Sequence, residues 1–111
     1  MAPLASARAQ VDALMARVEL LPGVFDDLDR IFDHLAKYDI EGAPDRITEM
    51  LHAIDVLITS PRIGRPAQGG KRELVIGRGS RGHIALYEYS SELDAVFVLA
   101  VRAQKEAGFR R

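Results

Sequence analysis

Hydrophobic residues recur at helical spacing in the first half of the chain and at strand-like spacing in the second. Between Phe25 and Leu35 they lie three or four residues apart, through Leu28 and Phe32, and the same spacing holds from Ile47 to Ile58. Each set predicts a helix with one apolar face. The link between them, residues 41–44, is short, so the two helices are predicted to form an antiparallel hairpin.

Four segments carry the pattern of β-strands. Residues 17–21 precede the first helix, while residues 71–78, 83–89 and 95–101 follow the second. The last segment is apolar throughout, which predicts a central strand buried on both faces. We therefore expect an α+β fold, with an N-terminal strand and an antiparallel helical hairpin packed on a three- to four-stranded, mainly antiparallel sheet.

Two finer expectations concern side-chain placement. Asp26, Asp27 and Asp29 are predicted to lie in the first turn of the first helix, where the helix dipole favours negative charge. In the strand 83–89, His83 and the two tyrosines alternate with aliphatic residues. This alternation predicts one polar-aromatic face and one apolar face.

Composition narrows the class of protein. With 111 residues and 48% hydrophobic content, the chain forms one small domain, predicted to span residues 16–111 after an N-terminal extension of residues 1–15. Cysteine is absent, so no disulfide or thiolate site is available, and the three histidines lack metal-ligand spacing. We expect no cofactor, no metal and no membrane span, and a cytoplasmic location.

Charge divides the chain into two halves of opposite sign. Residues 1–60 hold five Lys/Arg against eleven Asp/Glu, a net charge of −6, whereas residues 61–111 hold ten against five, a net charge of +5. The basic half predicts an acidic or polyanionic partner.

Several short motifs in the second half then point to a family. In chain order they are Leu57-Ile58-Thr59-Ser60-Pro61, Gly64-Arg65-Pro66, Arg72-Glu73-Leu74, Leu86-Tyr87-Glu88-Tyr89 and Val98-Leu99-Ala100-Val101-Arg102. Their order and spacing resemble the RelE/ParE superfamily of type II toxin–antitoxin toxins, and its ParE members in particular. The resemblance covers residues 16–109.

The resemblance implies a partner and two alternative modes of action. A cognate, ParD-like antitoxin would wrap the toxin in a hetero-oligomeric complex. ParE-like toxins inhibit DNA gyrase by binding it, whereas RelE-like toxins cleave mRNA on the ribosome. The tail favours the ParE-like mode, in which the toxin is not an enzyme, because Phe109 stands where a RelE-like site would need a phenol or an imidazole.

Site residues follow from these alternatives. A gyrase-binding surface is expected to include basic residues of the second half: Arg65, Arg72, Arg78, Arg81, Arg102 and Lys105. The RelE-like alternative would use Arg72, Tyr87 and Arg102 as catalytic residues. A third alternative is a degenerate, non-toxic homologue, since Ala85, Leu86 and Ala103 stand where many relatives carry Arg or His.

Overall fold

The computed structural model describes residues 15–77 and 82–104. Within these residues lie two α-helices and five strands, and the helices and the four expected strands follow the predicted order. They are β1 (Arg17–Leu20), α1 (Pro22–Ala36), α2 (Ala43–Ile54), β2 (Arg65–Pro66), β3 (Arg72–Ile76), β4 (His83–Ser90) and β5 (Ala95–Ala103), with 3₁₀ turns at Asp55–Ile58 and Gln68–Gly70.

The strands form one sheet in the order β1-β5-β4-β3-β2. β5 is an interior strand, as its apolar sequence predicted, and pairs parallel with β1 and antiparallel with β4. The predicted burial on both faces was wrong, since Phe97 and Ala100 are partly exposed. The remaining pairs are antiparallel, which confirms the α+β class and the mainly antiparallel sheet. One strand more than expected is present because Arg65 and Pro66, predicted to lie in a loop, pair with β3.

Both helices pack on one face of this sheet. Val24, Leu28 and Ile31 of α1 join Met50 and Ile54 of α2 in a single buried cluster with the inward side chains of β4 and β5. The predicted apolar stripe of α1 was partly wrong, since Phe25 is 53% exposed and Val24 is fully buried. Val24 lies four residues before Leu28, so it completes the helical stripe better than Phe25 does.

The aspartates of α1 lie further into the helix than predicted. Because Pro22 is itself the first helical residue, the first turn contains no acidic side chain. Asp27 instead accepts a hydrogen bond from the backbone N–H of Val101 at 2.9 Å. β1 ends at Leu20, which pairs with Val98, so Val101 has no strand on its β1 side and Asp27 supplies the missing acceptor.

The predicted division of β4 into two faces is confirmed, and the face that carries the tyrosines is the one that meets the helices. Tyr87 is 0% exposed and belongs to the core beneath the helices, and Tyr89 packs against that core. Ile84 and Leu86 lie on the opposite face of the sheet, here called the open face because neither α1 nor α2 packs on it, although Ile84 is itself buried. A tyrosine can occupy a core when its hydroxyl finds a hydrogen-bond partner, and the structure provides one.

No helix within the described residues is long and apolar enough to span a bilayer.

Replacing Asp27 with Ala is expected to lower the free energy of unfolding by about 1–3 kcal/mol, because the Val101 N–H loses its acceptor. Urea denaturation followed by circular dichroism measures the change. Asp26→Ala is the matched control, since Asp26 is exposed on the same helix. Equal stability of the two variants would contradict this role for Asp27.

Candidate target-binding surface

Residues 61–66, which we call the anchored loop, connect the 3₁₀ turn after α2 to the edge of the sheet. The loop is held from below by Tyr87, whose hydroxyl oxygen accepts a hydrogen bond from the Gly64 N–H at 2.9 Å. Because Tyr87 is completely buried, this bond joins the core directly to the loop backbone.

Gly64 is fitted closely to this position. A Cβ atom there would lie 2.6 Å from the Tyr87 hydroxyl oxygen and 2.8 Å from the carbonyl oxygen of Glu73. Both distances are shorter than any ordinary contact with carbon, so a larger residue would displace the loop from the sheet.

Arg72 holds the same loop from the side. Its guanidinium donates hydrogen bonds to the carbonyl oxygens of Gly64 at 2.8 Å and Arg62 at 3.2 Å. Arg72 lies opposite Tyr87 in the β3–β4 register, so both side chains reach the loop from one face. Arg72, a predicted target-binding residue, therefore holds the backbone of the anchored loop.

Two further cations at this end of the sheet have carboxylate partners. The Arg65 Nε lies 3.0 Å from a carboxylate oxygen of Glu73, and the Lys71 Nζ lies 3.8 Å from one of Glu88. The Arg65 side chain remains 57% exposed, so it is accessible to a partner despite this pair. Exposed pairs of this kind stabilise a fold little, and a partner can displace them.

Arg62 lies over the ring of Tyr89, with its guanidinium carbon 4.8 Å from the ring centroid. The Tyr89 hydroxyl donates a hydrogen bond to Asp94 at 2.8 Å. That bond, followed by partial burial and the negative charge of Asp94, raises the pKa of Tyr89 above its ordinary value of 10.0. Tyr89 is therefore a neutral hydrogen-bond donor at physiological pH.

Arg102, in β5, lies on a different face of the sheet from Arg72, the candidate cation of β3. It is exposed and pairs with Ile84, so it lies on the open face, whereas Arg72 and Tyr87 lie on the helix-covered face. Within residues 15–77 and 82–104, no carboxylate forms an ion pair with Arg102.

The three residues of the RelE-like alternative are thus not gathered on one surface. Of the other predicted target-binding residues, Arg78, Arg81 and Lys105 lie outside the described residues, as do Phe109 and residues 1–14. In the described part of the chain, no cluster of His, Asp and Glu is arranged to hold a metal ion.

Sequence reasoning missed the role of the loop backbone. It selected Arg65 and Arg72 by charge and Tyr87 as a candidate acid or base. The usable signal was the Gly-Arg-Pro motif after a helix end, since a glycine beside a short edge strand often marks a close backbone approach.

Comparison with known proteins agrees with this fold. Residues 7–108 match the family model of the ParE toxin of the type II toxin–antitoxin system parDE. The structure resembles that of the chromosomal ParDE system of P. aeruginosa, with a TM-score of 0.68 and 20% sequence identity over 80% of this chain and 96% of the other.

A second similar structure is the toxin–antitoxin complex RelBE2 of Mycobacterium tuberculosis. Its TM-score is 0.52, with 20% identity over 81% of this chain and 99% of the other. No curated protein is significantly similar in sequence. At such low identity the two structures show only a shared fold. The family model, in contrast, covers nearly the whole chain. The protein therefore belongs to the ParE toxin family, the toxin components of type II toxin–antitoxin systems.

Proposed function

We propose that this toxin acts by binding DNA gyrase, without cleaving RNA, and that a cognate antitoxin holds it inactive. The observation that carries the proposal is the separation of Arg72, Tyr87 and Arg102 described above. Membership of the ParE family supports the same mode of action.

RNA cleavage would require a base for the 2′-hydroxyl and cations on the phosphate at one accessible place. Tyr87 has no exposed surface, and its hydroxyl is bound by Gly64. The guanidinium of Arg72 is engaged by two loop carbonyls. Tyr89 has a raised pKa, so its phenol does not serve as a base near neutral pH.

A surface for a protein target is available at two arginines of the open face. Arg65 pairs with Glu73 in the β2–β3 register, and Arg102 pairs with Ile84 in the β4–β5 register, which places both on that face. Both side chains are exposed, and Arg102 has no ion-pair partner within the described residues. We propose that they contact carboxylates of gyrase.

The antitoxin is proposed to cover the β1 edge. Arg17 donates its N–H to Asp94, the residue before β5, and Leu21 donates its N–H to Val98 of β5. The N–H and C=O groups of Val18 and Leu20 therefore point away from the sheet. An apolar groove lined by Leu51, Ile54 and Ile58, among others, runs beside this edge. Unpaired strand edges beside apolar grooves are suited to binding an extended segment of a partner.

Purified toxin is expected to inhibit supercoiling by gyrase, and Arg102→Glu is expected to raise the half-inhibitory concentration by about tenfold through charge repulsion. Lys37→Glu is the matched control, since Lys37 is exposed at the end of α1. If wild-type toxin leaves supercoiling unchanged but cleaves mRNA on ribosomes, the RelE-like alternative replaces this proposal.

A further inference from the structure

The anchored loop exposes an aliphatic side chain between two arginines. Ile63 is 57% exposed, and Arg62 and Arg65 on either side of it are exposed as well. A single exposed isoleucine is ordinary on a protein surface. The unusual feature here is how firmly the surrounding loop is held.

Separate contacts fix the backbone on both sides of Ile63. The N–H of Ile63 donates to the Ser60 carbonyl at 3.1 Å, and the next N–H, of Gly64, donates to Tyr87. Arg72 binds the carbonyls of the residues before and after Ile63. The Ile63 side chain is therefore presented in one backbone conformation before any partner arrives, which lowers the entropy lost on binding.

The buried hydroxyl of Tyr87 serves this loop specifically. A phenylalanine would fill the same core space without introducing a polar group, and burying a polar group is unfavourable unless it is hydrogen-bonded. The hydroxyl meets the Gly64 N–H, and a side chain at residue 64 would close that approach. Tyr87, Gly64 and Arg72 thus act together as positioning residues for the tip of the loop.

We infer that the anchored loop is a preformed recognition element, in which Ile63 enters an apolar pocket of the target while Arg62 and Arg65 meet carboxylates at its rim. This inference rests on the proposed function, because the target is gyrase. A protein pocket fits better than nucleic acid, since the tip is aliphatic and the nearby Tyr89 ring is already covered by Arg62.

The loop leads from the 3₁₀ turn, whose Ile58 lines the groove beside the proposed antitoxin edge, to the opposite edge of the sheet. β2, which contains Arg65, and β1 are at opposite ends of the strand order. Substitutions at Ile63 can therefore separate target binding from antitoxin binding.

Ile63→Asp is expected to raise the concentration of toxin needed for half-inhibition of gyrase supercoiling at least tenfold, because a carboxylate would enter an apolar pocket with an acidic rim. The control is Ile40→Asp, since Ile40 is 69% exposed in the turn between the helices. Ile40→Asp is expected to stay within twofold of wild type. Both variants are expected to bind purified antitoxin as tightly as wild type does.

The outcomes of this experiment are separable. If wild-type toxin does not inhibit gyrase, the proposed function fails. If wild type inhibits and Ile63→Asp inhibits equally well, the inference about the loop fails while the function stands. Loss of antitoxin binding with inhibition retained would make the loop an antitoxin contact and overturn the inference. Binding of wild type to DNA alone that Ile63→Asp abolishes would likewise overturn it, by making the partner a nucleic acid.

Tyr87→Phe tests the positioning role, because it removes the hydroxyl and keeps the ring. The variant is expected to retain its circular dichroism spectrum, to exchange the Gly64 amide proton at least tenfold faster, and to inhibit gyrase several-fold less strongly. Tyr38→Phe is the matched control, since Tyr38 is 80% exposed. Faster exchange at Gly64 with undiminished inhibition would show that the rigidity of the loop is irrelevant to the target.

Discussion

The hydrogen bond between the Gly64 N–H and the buried Tyr87 hydroxyl links the core of this protein to its exposed surface. A polar group within a core must be satisfied, and this one is satisfied by a loop backbone. The loop must therefore close over β4, which requires a residue without a side chain at position 64. From that closure follow the pairing of Arg65 and Pro66 with β3 and the exposure of Ile63 at the tip.

Much of the fold could be predicted from hydrophobic spacing, because helices and strands bury their apolar residues at different periods. The interior position of β5 followed from its continuous apolar sequence. The alternation gave the two faces of β4 but not which of them meets the core. The alternation of residues along β4 was evident, but Tyr87 faces the core because Gly64 supplies its hydrogen bond, and Gly64 lies 23 residues away in sequence. A strand pattern carries no information about such a distant partner.

Asp27 illustrates the same limit. Its position near the start of a helix suggested a dipole interaction, yet it accepts a hydrogen bond from Val101, 74 residues away. The Val101 N–H requires a side-chain acceptor because β1 ends before β5 does. β1 and β5 pair only when the two ends of the domain come together. Local rules placed the carboxylate on the correct helix, whereas tertiary topology determined what it binds.

Fewer cations of the basic second half are available to a partner than its net charge suggests. Arg72 is held by loop carbonyls, and Arg65 and Lys71 are paired with glutamates, so three of its cations bind within the domain. Net charge counts these residues equally with Arg102, which has no ion-pair partner within the described residues. The positions of individual exposed side chains are therefore a better guide to what this protein binds than the total charge of a segment.

The two edges of the sheet differ in what they can offer a partner. At the β2 edge, Pro66 has no N–H to donate, so this edge is poorly suited to adding a strand, and the recognition we propose there uses side chains such as Ile63. At the β1 edge, the backbone groups of Val18 and Leu20 can pair with an extended segment. Recognition through the backbone suits a segment that folds on binding, whereas a rigid side-chain tip suits a folded target with a matching pocket. This asymmetry gives a physical basis for one small domain to bind an antitoxin and a target through different surfaces.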